Sequence, residues 1–362
     1  MNSKPKIVFV SSFKKNADGS TGGWAHDSKT LIESEISNHY DWVNLDTTAD
    51  SVIHVSFVKR LFKALKRIVT FLNIIRRKDV KVAFIFTAHA FSFYEKGIMV
   101  VLASMFGKKS FVFPRSGFAI DDLKTGWKRW YYKNVFKKAT FVVCQGENWK
   151  KTFGDLYPKD PSKFIIVKNW FNINDFQFPE KIPSPKVELL FLGWVDRNKG
   201  VFDLVDAIND LDKSLPDFNV NICGGGADFD GVQQKVKDLG LNSKFTFHGW
   251  VKGDKKNQQL GNADVFVLPS YAEGLPNSML EAMLAKTAVV VSDVGSIPEV
   301  IETGENGFMY SKGNVKALKD ALEQLILNEQ LRRNVSINGY ETVVKHHNIK
   351  NVEKYLLSLM KD

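Results

Sequence analysis

Short, almost unbroken apolar runs recur from one end of the chain to the other, and they restrict its fold more than any other feature. The first series is KIVFVSSF (6–13), KVAFIFTAH (81–89), KSFVFPRS (109–116), TFVVCQG (140–146) and KFIIVKNW (163–170). The second is ELLFLGW (188–194), FNVNICGGG (218–226), KFTFHGWV (244–251), ADVFVLPS (263–270) and TAVVVSD (287–293). A strand with one wet face alternates apolar and polar residues, whereas a strand covered on both faces does not. The runs therefore predict parallel sheets, with the longer amphipathic stretches between them forming covering helices. Between the two series lies NINDFQFPEKIPSPK (172–186), rich in Pro, Asn and charge, which reads as a linker. The expected class is α/β, in two halves with a cleft between them. Sheets of this kind bind ligands at the carboxyl ends of their strands.

Composition agrees with this size of structure. A chain of 362 residues, 44% hydrophobic, supports two cores. Its formal charge of +10 favours anionic partners without saying which. Cys144 and Cys223 sit inside apolar runs at no metal-type spacing, which predicts buried, reduced thiols. No apolar stretch reaches the ~20 residues needed to cross a bilayer, and no secretory pattern precedes the first run. The expected location is the cytoplasm or the inner face of the cell membrane.

The segment EGLPNSMLEA (273–282) places Glu273 and Glu281 with seven residues between them, around Gly274 and Pro276 and ahead of a helix. Proline suits a first helical position, and a helix start offers backbone N–H groups to a phosphate. Gly274 allows close approach, and Leu275, Pro276 and Asn277 form the rest of the loop. Carboxylates repel phosphate but suit hydroxyls, so the two glutamates fit a sugar and a ribose. Upstream, FLGWVDRNKG (191–200) is a strand followed by a glycine turn, with Gly193, then Arg197 and Lys199 as cations able to neutralise a diphosphate. ICGGGADFDG (222–231) is another glycine turn, but without GxGxxG spacing or a P-loop lysine.

Taken in order, GWVDRNKG, CGGG, FHGWV, ADVFVLPSYAEGLPNSMLEAM and VVVSDVGSIPEVI with NGFMY resemble the nucleotide-sugar-binding half of the retaining, family-4 glycosyltransferases. The likeness is close over 188–311 and looser elsewhere. It implies the GT-B fold: two Rossmann-like domains, 1–170 for the acceptor and 187–340 for the donor, facing across a cleft. Residues 171–186 would link them, and a helix within 341–362 would return to the first domain. It also implies sugar transfer from a nucleoside diphosphate sugar, of UDP or GDP type, to a saccharide or lipid-linked saccharide acceptor, with no metal and no separate cofactor. Glu273 would hold the sugar hydroxyls, Lys199 the diphosphate, Glu281 the ribose, and the backbone near Val251 the base. On the acceptor side the resemblance points to Gly22 and Gly23 in TGGW, and the cleft candidates are His89, Arg115 and Ser116. The chain departs from the family at Trp194, where arginine is usual, and at PRSGF, where a His-Gly is usual. A non-catalytic nucleotide- or lipid-binding protein and a sugar-nucleotide epimerase are the alternatives.

Asp210-Leu211-Asp212 and Asp228-Phe229-Asp230 read as solvated acids, and His346-His347 as surface residues. The segment 57–81 carries nine Lys/Arg and one acid, with apolar residues at helical spacing, and 121–139 repeats the theme with Trp127 and Trp130. Such surfaces suit an anionic membrane. No nucleic-acid module is legible.

Overall fold

The computed structural model describes residues 4–14, 23–48, 56–182, 184–212 and 214–361. The chain forms two compact units, residues 1–172 with 348–362, and residues 173–347. Each contains a six-stranded, wholly parallel sheet. In the first unit the strands are β1 (Lys6–Ser11), β2 (Asp41–Asp46), β3 (Val80–Thr87), β4 (Lys109–Pro114), β5 (Phe141–Cys144) and β6 (Phe164–Ile166). The second has β7 (Val187–Leu192), β8 (Phe218–Cys223), β9 (Phe245–Gly249), β10 (Val265–Leu268), β11 (Ala288–Ser292) and β12 (Phe308–Tyr310).

Burial explains the continuous apolar runs. Along β1, Ile7 and Phe9 enter one core with Phe84, Phe86, Phe111 and Phe113, while Val8 and Val10 enter another with Ala83, Ile85 and Val112. Both faces of the sheet are thus covered, so alternation has no polar side to show. The phenylalanines pack edge-on, as in Phe9 on Phe86 at 5.1 Å between ring centroids. Two strands fell outside the expected ten. Both are sheet edges, β2 in the order β2-β1-β3-β4-β5-β6 and β12 in β12-β11-β10-β7-β8-β9. Strand β2 buries only Leu45 fully, so DWVNLD lacks a continuous run, and β12 has three residues.

The second sheet has the doubly wound order: the chain steps from β7 outward to β8 and β9, then returns to the other side of β7 for β10, β11 and β12. The point where the order reverses, at the carboxyl ends of β7 and β10, is where sheets of this kind form a ligand crevice. The first sheet reverses likewise between β1 and β3.

Residues 173–182 are not a free connector but pack within the second unit. Ile182 N donates to Asn262 Oδ1 at 3.2 Å, Asn257 Nδ2 donates to the Gln177 carbonyl at 3.2 Å, and Lys181 pairs with Asp264. Asparagines 314, 328 and 348 cap the last three helices, their side chains accepting from Ala317, Leu331 and Lys350 N. The helix Glu329–His346 stays in the second unit, and only Ile349–Met360 lies in the first, where Leu356 and Ile349 join the core containing Phe9. His347, expected at the surface, is fully buried.

Candidate active site

The crevice between β7 and β10 gathers the residues singled out in the second half of the sequence. After β7 the chain runs through Gly193 and a short helical turn, Arg197–Lys199, to Gly200. Asp196 caps the turn by accepting from Lys199 N at 3.1 Å. After β10 it runs through Pro269 to Pro276, and the helix Asn277–Leu284 follows. Pro276 has φ −73° and ψ 121°, so it caps this helix from the extended region and Asn277 is its first residue. That is one place later than the sequence indicates.

Glycines bring these loops together. At Gly200 (φ +66°) a Cβ would lie 1.9 Å from the Pro269 carbonyl oxygen, so the loop after β7 rests directly on the loop after β10. At Gly295 (φ +61°), after β11, a Cβ would meet the carbonyls of Glu273 and Gly274 at 2.3 Å, and Ser296 N donates to the Gly274 carbonyl at 2.8 Å. In CGGG, the close approach made possible by Gly224 and Gly226 is to the Gly193 and Val195 carbonyls. These glycines build the walls of the crevice from backbone.

On this frame, Lys199 Nζ lies 2.5 Å from Glu273 Oε1, and Ser270 Oγ donates to the same oxygen at 2.8 Å. The two charged side chains are 23% and 11% exposed, so the pair is largely desolvated yet reachable. Ser270 is held from behind, its carbonyl accepting from Ser292 Oγ at the end of β11. The buried Glu281, about one turn into the helix, pairs with Lys256 at 2.8 Å. Arg197 takes another course. Its side chain is 81% exposed over the Phe202 ring, and its backbone N–H donates to Asp228 Oδ2 at 2.9 Å. Asp228 is therefore a loop anchor rather than a solvated acid. Trp194 packs edge-on against Trp250 at 4.7 Å, next to Val251. Ser270, Lys256 and Asp228 were not singled out as site residues. Ser270 could have been found from its place three residues before Glu273 at a strand end, whereas nothing in KGDKKNQQ marks Lys256.

In the first unit, the loops after β3 and β4 bring His89 and Ser116 together, Nδ1 to Oγ at 2.9 Å. Ala90 beside them has φ +50°, a costly conformation for alanine, fixed where its N–H donates to Asp122 Oδ2 at 2.8 Å. Arg115 is not presented to a ligand in this way. It is buried against Asp27, with the Phe86 and Trp170 rings about its guanidinium at 5.1 and 5.0 Å. Burial lowers it to about 9, so it stays charged at neutral pH. Gly23 opens the helix Gly23–Ile32, and Gly22 lies outside the described residues. Among the described residues no cluster of three or more His, Cys, Asp or Glu could hold a metal ion.

Residues 172–342 match the family described as glycosyl transferases group 1. The alpha-maltose-1-phosphate synthase of Mycolicibacterium smegmatis is 28% identical over 64% of this chain and 65% of its own, so the match spans less than two thirds of that relative. Among solved structures, the sucrose-phosphate synthase of Thermosynechococcus elongatus superposes with a TM-score of 0.77 at 16% identity, covering 98% of both chains. Anabaena HepE in complex with UDP-glucose gives 0.75 at 14% identity, over 98% of this chain and 99% of that one. At such identities the likeness establishes the fold, α/β of GT-B type.

Proposed function

We propose that this chain, whose residues 172–342 match the family described as glycosyl transferases group 1, moves a sugar from a nucleoside diphosphate sugar to a saccharide acceptor with retention at the anomeric carbon. The observation that carries this reading is the Lys199–Glu273 pair at the β7/β10 switch point, ahead of the helix Asn277–Leu284. Without donor the two groups neutralise each other. With donor, Lys199 turns its charge to the diphosphate, and Glu273 accepts from sugar hydroxyls while Ser270 keeps its carboxylate oriented. As the bond from the anomeric carbon to the diphosphate oxygen breaks, its electron pair leaves with the diphosphate. Lys199 and the helix start stabilise that growing charge. The acceptor oxygen attacks from the same face and its proton passes to the departing diphosphate, so no protein base is required. Glu281 faces the ribose, and Trp250 with Val251 borders the base. The UDP-glucose complex of HepE supports a uridine donor as the first to try.

Glu273→Ala tests the assignment. Transfer should vanish while the circular dichroism spectrum and thermal transition stay as in wild type. Near-normal turnover by that variant refutes it.

A further inference from the structure

The helix Phe57–Ile75 carries more apolar surface than its own unit covers. At ~100° per residue, Ala64, Ile68, Phe71 and Ile75 fall on one arc, and that arc faces the core, with Ala64, Phe71 and Ile75 buried. A second arc beside it, formed by Val58, Phe62, Leu65 and Val69, is left in solvent, at 72%, 74%, 51% and 56% exposure. Lys59, Lys63 and Lys66 border this arc on its other side. Nothing in folding the unit calls for such an arc, and contiguous apolar surface of this kind marks an interaction site.

Past those lysines, the far flank of the helix meets its neighbours. Phe91 and Tyr94, at the start of the helix Phe91–Met105, bridge to its neighbours: the Arg60 guanidinium lies 5.4 Å from the Phe91 ring, and Trp127 packs on Tyr94 at 5.3 Å. Trp127 and Trp130, one turn apart in the helix Gly126–Lys138, are 59% and 65% exposed. Arg129 and Lys133 of that helix, like Lys59 and Lys66, have no carboxylate partner in the described residues. No acid occurs in the helix Phe57–Ile75.

We propose that this face docks on an anionic lipid bilayer, with Val58, Phe62, Leu65 and Trp130 entering the headgroup boundary and the flanking lysines and arginines lying among lipid phosphates. Charge decides between occupants. A second copy would bring the same cations against themselves. Nucleic acid would match the cations but leave the aliphatic arc wet. An anionic bilayer satisfies both, and tryptophan favours its interface. The surface belongs wholly to the first unit and does not rest on the transferase reading. No helix of the described residues is long and apolar enough to cross a membrane.

The test is co-sedimentation of the full chain with vesicles of phosphatidylcholine, with and without phosphatidylglycerol, at low and high salt. Binding should require phosphatidylglycerol and weaken with salt. Lys59→Gln and Lys66→Gln should each weaken it about five-fold, and Phe62→Ser about ten-fold or more. All three positions are exposed, so thermal transitions should stay unchanged. Should Phe62→Ser unfold the chain, quenching of Trp130 by brominated acyl chains, judged by its loss in Trp130→Phe, reports insertion instead. Absence of binding to phosphatidylglycerol vesicles, or equal binding by all variants, overturns the proposal. So does salt-sensitive binding without quenching, which would indicate a purely ionic surface suited to an acidic partner.

Discussion

Replacing Gly200 by alanine isolates the claim that backbone contact between the β7 and β10 loops builds the site. The new methyl would sit 1.9 Å from the Pro269 carbonyl oxygen, so the two loops must part by about 1 Å before the contact is tolerable. A left-handed alanine costs about 1–2 kcal/mol, and overpacking against fixed backbone about 1–3 more. The sum predicts a fall in melting temperature of roughly 5–15 °C. Lys199 is the neighbouring residue, and its 2.5 Å contact with Glu273 spans the same two loops. A shift near 1 Å at a reacting centre can cost about 100-fold in rate. Gly240→Ala is the control. It has nearly the same backbone, φ +69°, but nothing lies within 4 Å of the added methyl, so it should lose about 1–2 kcal/mol and keep full turnover. Thermal melts, nucleoside diphosphate calorimetry and turnover on both variants decide the matter. Equal effects of the two substitutions would refute the argument, because strain alone, rather than loop contact, would then be what the glycine avoids.

Two further outcomes are expected. Burial pushes the Cys223 thiol up to about 12 and encloses Cys144 as well, so native protein should react negligibly with a thiol reagent and release two thiols only on unfolding. Asp217 is held below the usual carboxylate range by hydrogen bonds from Lys186 and Lys244, both at 2.8 Å. A depressed folded pKa adds stability above the unfolded value, near ~3.9, and that stability fades as pH falls through the folded one. Asp217→Asn should therefore lower the urea midpoint at neutral pH, and its difference from wild type should shrink in acid.

The sequence alone was enough for the fold class, because a strand buried on both faces leaves a local record. VFV in β10 and VVV in β11 read as core whatever surrounds them. Edge strands leave a weaker one: in β2, Asp41, Asn44 and Asp46 interrupt the apolar run and Leu45 alone is buried. The sequence also indicated Glu273, Lys199 and Glu281 as a group, since a strand end, a glycine turn and a helix start are local features with recognisable chemistry. Only the tertiary structure decided their partners. Strand order, which depends on how the chain returns past β7, is what sets Lys199 against Glu273 across 74 positions, and packing between helices sets Lys256 on Glu281. The same holds for Arg115 and Arg197. Both read as cations near strand ends, yet one is enclosed by Asp27 and two aromatic rings while the other lies open over Phe202. Charge and position along the chain are local properties, whereas burial is a property of the neighbours that folding supplies.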